Sequence, residues 1–312
     1  MTDLPLSMKL WLVDNPYDKS ENLSVTSLIK PIKMLILSKR VNSVNREIDV
    51  YKQISSSIGN AIHSSIENCW KSDRLESNLE LLGLDKKTIS AIRINPESKE
   101  EGIIPVYIEK RTDKVINGNT ITGKFDFVFN GILEDFKSTS VITYINQSNK
   151  DKFILQGSIY RWLNPDIITE DYMLINYIFT DFSVAESMRN EEYPKKRCLS
   201  QKYPLISLAM TESYIRSKLR QLEELDSAEE KDIPACTKDE IWQQDSVWKY
   251  YKNKAELSRS TKNFSNSYDA YDRYYKDGSI GIVLEVKSQP KLCPRCEANS
   301  ICQQYQSILS NG

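Results

Sequence analysis

The clearest pattern of apolar and polar positions in the chain surrounds the dipeptide Asn130-Gly131. Apolar runs lie on both sides of it, and Asn-Gly between two such runs is typical of a two-residue hairpin turn. A turn of this type fixes which residues face each other. The predicted pairs are Phe129 with Ile132, Phe127 with Glu134, Asp126 with Asp135, and Lys124 with Lys137.

Side chains alternate between the two faces of a strand, and this places charge on one face of the predicted hairpin. One face should carry Asp126, Asp135 and Lys137, and the other Phe125, Phe127, Phe129 and Phe136. Two carboxylates directly opposite each other repel, and ordinary sheets avoid such pairs. A bound divalent cation would reverse that repulsion, because hard cations take carboxylate oxygens as ligands. A solvated, charged sheet face is the simpler interpretation of an Asp-x-Lys tripeptide taken alone.

Longer patterns predict the other elements. Helical spacing of apolar residues covers 24–46, 48–70, 74–93, 150–163 and 211–225. Strand patterns cover 102–109, 114–116, 171–181 and 281–286, with Asn117-Gly118 as a second hairpin turn. Residues 1–20 are polar and contain prolines, which predicts an irregular arm. The lysines and arginines of 24–46 are interpreted as a solvated helix face.

The sequence changes character at residue 233, where cysteines, tyrosines and basic residues become frequent. We therefore divide the chain into an N-terminal arm (1–23), a core (24–232) and a Cys-rich C-terminal segment packing on that core (233–312). The predicted fold class is α/β, with a mixed central sheet flanked by helices.

Composition narrows the class of protein. The 312 residues carry a formal net charge of −1, so a nucleic-acid site would have to be a local basic groove. No apolar run approaches the length of a membrane span, and no signal peptide precedes the first element. The six cysteines lie mostly late in the chain and do not resemble a secreted disulfide framework. We expect a cytoplasmic protein without a membrane partner.

Two helical motifs carry candidate chemistry. His63 is the only histidine and lies in the predicted helix 48–70, in the frame Gly59-x-x-Ile62-His63-x-x-Ile66-Glu67. A lone histidine in a helix is usually a packed side chain. Gln156 and Tyr160 lie one turn apart on the helix 150–163 and therefore share a face, where they could simply be half-buried polar residues.

Three cysteines near the C-terminus have the spacing of a metal site. Cys293 and Cys296 form a C-x2-C pair, and Cys302 follows after five intervening residues. In a reducing compartment such a group calls for a metal, and thiolate ligands suit both zinc and iron–sulfur clusters. Cys236 lies upstream in a Pro234-x-Cys236-Thr237-x-x-Glu240-x-Trp242 stretch.

Together these motifs resemble the RecB-like branch of the PD-(D/E)xK nuclease superfamily. The hairpin matches its G-[KR]-x-D … D-x-K-[ST] motif at Gly123, Lys124, Asp126, Asp135, Lys137 and Ser138. The His63 frame and Gln156-x-x-x-Tyr160 are similar to two further motifs of that branch. The cysteine tail is similar to its iron–sulfur tail, and the stretch at Cys236 resembles a phage-type family of such proteins. The branch has a cysteine upstream of its histidine motif, and this chain has none there.

The resemblance implies a restriction-endonuclease-like core with a Cys-rich metal clasp. It implies that Mg²⁺ or Mn²⁺ is held by His63, Asp126, Asp135 and the carbonyl of Phe136. Lys137, Gln156 and Tyr160 complete the implied catalytic set. The implied ligands of a 4Fe–4S cluster, with Zn²⁺ as the alternative, are Cys236, Cys293, Cys296 and Cys302; Cys69 and Cys198 remain alternatives for the fourth position.

The function so implied is a metal-dependent DNA exonuclease, phage-encoded and used in recombination or DNA processing in the host cytoplasm. Its partners would be DNA with free ends and a phage single-strand annealing or DNA-binding protein. Two other classes stay open: a DNA-binding accessory protein without catalysis, and a structural metal module that recruits partners. A non-catalytic accessory protein is disfavoured, because the set of His63, Asp126, Asp135 and Lys137 is intact. A structural metal module would explain the cysteines but not the hairpin.

Overall fold

The structure is a computed structural model that describes residues 4–14, 22–41, 49–98 and 100–310. The described residues form a mixed α/β fold, with sheets flanked by helices. The chain divides into two compact units. The first comprises residues 1–29 and 46–219, and the second comprises residues 30–45 and 220–312. No helix in the described ranges is both long enough and apolar enough to cross a bilayer.

The helices and strands are numbered in chain order. Helices α1 to α12 run over Leu6–Val13, Val25–Leu28, Ile32–Arg40, Ile54–Trp70, Leu75–Leu81, Lys86–Ala91, Val141–Ile145, Lys150–Leu163, Val184–Arg189, Leu208–Leu225, Ser267–Lys276 and Gln303–Ser310. Strands β1 to β12 run over Leu23–Ser24, Ile92–Ile94, Ile104–Ile108, Arg111–Ile116, Asn119–Lys124, Phe127–Phe129, Ile132–Thr139, Tyr172–Phe179, Cys198–Pro204, Val247–Tyr251, Lys262–Phe264 and Ile282–Val286.

The first unit contains a six-stranded mixed sheet and a smaller sheet. The six-stranded sheet has the order β2-β3-β6-β7-β8-β9. Strand β7 pairs antiparallel with β6 and parallel with β8, so it lies in the interior of the sheet. The smaller sheet has the order β1-β5-β4, with β4 and β5 joined by the predicted Asn117-Gly118 turn.

The predicted hairpin register is confirmed where β6 and β7 pair. Phe127 faces Glu134, Val128 faces Leu133 and Phe129 faces Ile132. Both turn residues have positive φ, 47° at Asn130 and 87° at Gly131. A two-residue I′ turn requires that conformation, and Asn and Gly adopt it most readily.

The predicted register is wrong beyond Phe127. Lys124 ends β5 and pairs with Arg111 of β4 in the smaller sheet, so it does not face Lys137. Asp126 lies in the bend between β5 and β6, outside the ladder. The physical reason is that the chain passes from one sheet to the other at residues 125–126, and this interrupts the strand alternation.

The two faces of the hairpin pack in two clusters. Phe127, Phe129 and Phe136 pack together with Val106, Ile108, Ile92 and Trp70, the last at the end of α4. Phe125 was predicted on that face but packs in the main core with Val128, Leu133 and Ile159 of α8. Helices α4 and α8 therefore cover opposite faces of the hairpin.

Helix α8 has the predicted bounds. Asn164 follows its last residue and precedes a proline, which cannot continue a helix. The Asn164 side chain donates to the carbonyl of Tyr160 at 3.1 Å and accepts from the Thr112 hydroxyl at 2.6 Å. These bonds satisfy polar groups at the helix end and tie it to β4.

Several predicted elements differ from the structure. The arm over 1–20 contains the helix α1, while its residues 15–20 lie outside the described part. The predicted helix 24–46 is two helices, α2 and α3, separated around Pro31; its end, 42–46, is not described. The predicted helix 74–93 is broken into α5 and α6 near Gly83, whose φ is 86°.

The second unit contains the antiparallel sheet β11-β10-β12 and the helices α3, α11 and α12. Helix α11 packs on this sheet through Ala270 and Tyr274, which lie against Tyr250 and Val283. Lys33 of α3 was expected on a solvated face, but it is 6 % exposed and pairs with Glu230 at 3.2 Å. A buried lysine requires such a partner, because burial penalises an unpaired charge.

Candidate metal and catalytic site

Asp135 and Lys137 lie on the same side of β7, as strand alternation requires. Asp135 is only 5 % exposed, and its Oδ2 atom lies 2.6 Å from Lys137 Nζ. Burial raises the pKa of Asp135, and the Lys137 charge opposes that shift. The ammonium group of Lys137 also lies 5.4 Å from the centre of the Phe153 ring, so α8 helps to position it.

His63 joins the site from α4. Its Nδ1 atom lies 3.2 Å from Asp126 Oδ2, and its Nε2 atom lies 2.8 Å from the carbonyl oxygen of Phe136. A carbonyl oxygen only accepts hydrogen bonds, so Nε2 carries the hydrogen. Burial lowers the pKa of His63, but the Asp126 carboxylate and the Phe136 carbonyl together raise it by more. The pKa of His63 therefore lies above its ordinary value.

Glu109 is a member of this site that the sequence did not indicate. A ligand atom from each of His63, Glu109 and Asp126 lies within 4.8 Å of the others. Glu109 has a positive φ of 52°, and its backbone N–H donates to the Asp126 carbonyl at 2.9 Å. Its carboxylate accepts a hydrogen bond from Lys124. Glu109 ends the predicted strand 102–109, and this was the sequence feature that could have indicated it. Nothing in the sequence, however, shows that this strand end lies beside Asp126.

Two buried carboxylate oxygens test whether a cation fits this site. The Oδ2 atoms of Asp126 and Asp135 are both buried, and the charged or protonatable groups close to them are His63 Nδ1 at 3.2 Å and Lys137 Nζ at 2.6 Å, respectively. Buried carboxylates require compensating positive charge, and a bound cation would add to that of His63 and Lys137. Carboxylate and carbonyl oxygens are the ligands that Mg²⁺ and Mn²⁺ take, so the residues present fit such an ion.

Gln156 and Tyr160 contact each other on α8. Gln156 Nε2 donates to the Tyr160 hydroxyl at 3.3 Å, and Tyr160 is 7 % exposed. The structure brings His63 into contact with Asp126 and Phe136 and places the Asp135–Lys137 pair beside them, but among the described residues the group whose ligand atoms all lie within 4.8 Å of one another contains Glu109 and not Asp135. Gln156 and Tyr160 lie on the helix whose Phe153 contacts Lys137.

Gly123 keeps α8 close to β5, and we expect Gly123→Ala to destabilise the first unit. A Cβ atom at this position would lie 2.5 Å from Leu163 and 2.7 Å from Val25, with Tyr160 at 3.2 Å. Overpacking of this kind costs about 1–3 kcal/mol. Urea unfolding of both proteins measures the loss in the free energy of unfolding.

Gly59→Ala is the matched control for that substitution. A Cβ at Gly59 would meet only Ser138 Oγ at 3.5 Å, an ordinary contact. Alanine is favoured over glycine in a helix, so this variant should be as stable as the wild type or more stable. Equal stabilities of the two alanine variants would contradict the close approach at Gly123.

Four cysteines line one cavity in the second unit. Cys236, Cys293, Cys296 and Cys302 share its wall with residues of α3, including the buried Lys33. All six cysteines are free of disulfides, and Cys69 and Cys198 are exposed side chains that do not line this cavity. Cys236 is therefore the cysteine that accompanies the C-x2-C-x5-C group in space.

The sulfur atoms of these cysteines are not drawn tightly together. No three of the cysteines have sulfurs that all lie within 4.8 Å of one another. A closed tetrahedral zinc site, with Zn–S bonds of about 2.3 Å, needs sulfurs about 3.8 Å apart. An iron–sulfur cluster binds each cysteine to a different iron atom and so spaces the sulfurs more widely. A zinc ion would therefore require the side chains to move inward, and the charge of the buried Lys33 in the cavity wall is already paired with Glu230.

Burial raises the pKa of Cys236 to about 12 and that of Cys293 to about 11, and the neighbouring thiols add to both shifts. The pKa of Cys296 is also raised, mainly by burial. A metal or cluster binds thiolates, so its binding here must release protons.

Comparison with known proteins identifies no family. No protein-family model and no curated protein matches the chain. Among solved structures, the chain is similar to the crystal structure of SSO0001, with 14 % sequence identity and a TM-score of 0.38. That match covers 71 % of this chain and 85 % of the other.

Proposed function

We propose that the chain is a metal-dependent DNA nuclease that hydrolyses phosphodiester bonds at the His63–Asp126–Asp135–Lys137 site. One observation carries the proposal: two buried carboxylate oxygens lie in one site with a histidine and a lysine, at 3.2 Å from His63 and 2.6 Å from Lys137. This is the residue set of the RecB-like motifs, placed on a mixed sheet between helices. A restriction-endonuclease-like core is part of the proposal.

The proposed ligands of the cation are His63, Asp126, Asp135 and the Phe136 carbonyl, with Glu109 as an additional carboxylate. A divalent cation bound there supplies Lewis acidity toward water and the phosphate group. Asp126 and Asp135 would fix its position from two different backbone segments. His63, anchored on α4, donates from Nε2 to the Phe136 carbonyl, so Nδ1, which faces Asp126, is the nitrogen that would ligate the cation.

Lys137 provides the positive charge of the protein itself. Its ammonium group is held between the Asp135 carboxylate and the Phe153 ring, so it is oriented before any substrate arrives. A preorganised cation at this position stabilises the negative charge that develops on the phosphate oxygens during attack by water. Gln156 and Tyr160 would contact the DNA backbone and hold the strand in place.

We also propose that Cys236, Cys293, Cys296 and Cys302 hold a 4Fe–4S cluster or a zinc ion. The support is their common cavity and the absence of disulfides at these cysteines. The cofactor would act as a clasp that links segments far apart in the sequence. DNA with free ends as substrate, a phage annealing or DNA-binding protein as partner, and a role in recombination in the host cytoplasm rest on the motif resemblance alone.

A nuclease assay with Mn²⁺ tests the proposed function. End-labelled linear DNA and circular DNA of the same sequence are incubated with the protein, with EDTA as the control. Loss of label from linear DNA, with circular DNA intact and EDTA blocking the reaction, is the expected result. Binding without any cleavage would favour a DNA-binding accessory protein, and neither binding nor cleavage would favour a structural metal module.

We expect Glu109→Gln to weaken Mn²⁺ binding, because the carboxylate lies within ligand distance of His63 and Asp126. His63→Ala should also weaken it. Isothermal titration of Mn²⁺ into each purified protein measures the dissociation constants without requiring catalysis. Glu76→Gln, on the surface helix α5, is the control and should bind as the wild type does. Identical constants for Glu109→Gln and the wild type would remove Glu109 from the site.

A further inference from the structure

Helix α11 carries a row of exposed tyrosines that the proposed catalytic site does not use. Tyr268, Tyr271 and Tyr275 follow one another at intervals of three and four residues and therefore share one face of the helix. They are 80 %, 41 % and 66 % exposed, respectively. The neighbouring Tyr274 packs inward against Tyr250 and is not part of the row.

Two rings of this row, those of Tyr271 and Tyr275, are connected to each other and to neighbouring rings. The ring centres of Tyr271 and Tyr275 are 6.5 Å apart, and Tyr271 lies 6.4 Å from Trp248 of β10. Tyr275 lies 5.3 Å from Tyr274. Tyr271 and Tyr275 are thus each supported by another ring, so stacking a planar ligand on them costs little side-chain entropy, whereas Tyr268 extends the row without a supporting ring among the described residues.

Basic side chains lie at one end of the row. Because Tyr271 contacts Trp248 and Tyr274 contacts Tyr250, α11 runs in the same direction as β10. Its C-terminal end, with Tyr275, therefore lies where β10 leads into the loop 252–261. The loop carries the exposed cations Lys252, Lys254 and Arg259, and the exposed Lys262 is the first residue of β11.

These four cations are available to an anionic ligand. Within the described part of the chain, none of them lies within 4.0 Å of a carboxylate oxygen. Asp272 pairs with Lys276 at 2.7 Å and Asp277 with Arg273 at 3.1 Å, whereas Asp269 is hydrogen-bonded to Asn266 at the start of α11 and Glu256 lies among the loop cations. Residues 247–287 contain eight Lys or Arg against five Asp or Glu, whereas the whole chain carries a net charge of −1.

We propose that the face formed by Tyr268, Tyr271 and Tyr275, with the basic loop 252–262 beside it, binds single-stranded nucleic acid. Bases stack on the tyrosine rings, and the phosphates of the same strand lie against the basic loop. Aromatic platforms next to a positive track are the general means of holding single strands without sequence preference. A duplex offers no open base faces, so this surface discriminates against it. The inference deepens the proposed function, because the strand would be the nuclease's substrate, but its test requires no cleavage.

The test measures binding of a fluorescein-labelled oligo(dT) 30-mer to the full-length protein by fluorescence anisotropy in EDTA. The double variant Tyr268→Ala/Tyr275→Ala should bind the oligonucleotide at least about tenfold more weakly than the wild type. Tyr268→Phe/Tyr275→Phe keeps both rings and should retain the affinity. Tyr51→Ala removes a tyrosine of the first unit that is 50 % exposed, and it should leave the affinity unchanged.

The salt dependence tests the basic loop separately. Lys252→Ala/Lys254→Ala should reduce the slope of log affinity against log salt by about 1.4, because each phosphate contact on a single strand contributes about 0.7. A duplex of the same length should bind the wild type and the Tyr268→Ala/Tyr275→Ala variant equally.

Unchanged single-strand affinity in the alanine variant would overturn the inference and leave the row as a surface for a protein partner. A loss shared by the phenylalanine variant, or an equal loss on duplex, would overturn base stacking. If only the proposed nuclease function is wrong, the tyrosine-dependent binding will persist in EDTA and the protein will not cleave DNA in Mn²⁺.

Discussion

Asp135→Asn should reduce Mn²⁺-dependent DNA cleavage by on the order of a thousandfold while leaving the fold intact. The amide has the shape of the carboxylate but carries no charge for a cation. Asp135 is almost fully buried on an interior strand, and its side chain faces Lys137 and the site, so it contributes little to apolar packing. Single-turnover cleavage of labelled DNA measures the loss, and circular dichroism checks the fold.

The same substitution should not destabilise the protein in EDTA. Burial raises the pKa of Asp135, so the folded protein pays for ionising it as the pH rises above about 4, the ordinary value for aspartate. Asparagine removes that cost, and the variant should melt at the same temperature as the wild type or higher at neutral pH. Asp113→Asn, an exposed position of β4, is the control and should change neither activity nor stability. Full activity in Asp135→Asn would refute the assignment of the site.

Cys236→Ser should lower bound metal and thermal stability together, with a fall in melting temperature of about 5–15 °C. Cys236 shares a cavity with Cys293, Cys296 and Cys302, which lie far along the chain, so a cofactor held by all four closes a long loop. Because that site cannot exist in the unfolded chain, the free energy of cofactor binding contributes to folding. Elemental analysis and calorimetry of anaerobically purified protein measure the two quantities.

Cys69→Ser is the matched control for the cysteine cavity, because Cys69 is exposed on α4 and lies outside the cavity wall. Its metal content and melting temperature should equal those of the wild type. Brown wild-type protein with broad visible absorption would identify an iron–sulfur cluster, and colourless protein with bound zinc would identify the alternative. Metal lost in Cys69→Ser but kept in Cys236→Ser would move the fourth ligand to the first unit.

Local chemistry explains which parts of the fold the sequence predicted correctly. The register of Phe127 with Glu134 follows from a two-residue turn that only Asn-Gly-like pairs favour. The bounds of α8 follow from an amphipathic pattern ended by Asn164 and a proline. Both signals lie within a few residues of the structure that they specify, so no tertiary information is needed to interpret them.

Tertiary structure explains the errors. Lys124 and Phe125 continue an uninterrupted strand pattern, yet the chain changes sheets there, and the partner that draws Lys124 away is Arg111 of β4. Glu109 was missed for the same reason, since its place beside Asp126 depends on how β3 meets the start of β6. Residue types and their spacing indicated most of the residues of the site. The remaining residue, Glu109, reaches the site through contacts between distant segments of the chain.

The passage of the chain between two sheets at residues 125–126 has a consequence for the order of folding. The β6–β7 hairpin is local and closes early, whereas Asp126, Glu109 and His63 meet only after both sheets and α4 have docked. The mutually repelling carboxylates are therefore kept apart through most of the folding reaction and are brought together near its end. We expect a bound cation to slow unfolding rather than to accelerate folding, because its ligands are not yet assembled at the rate-limiting step.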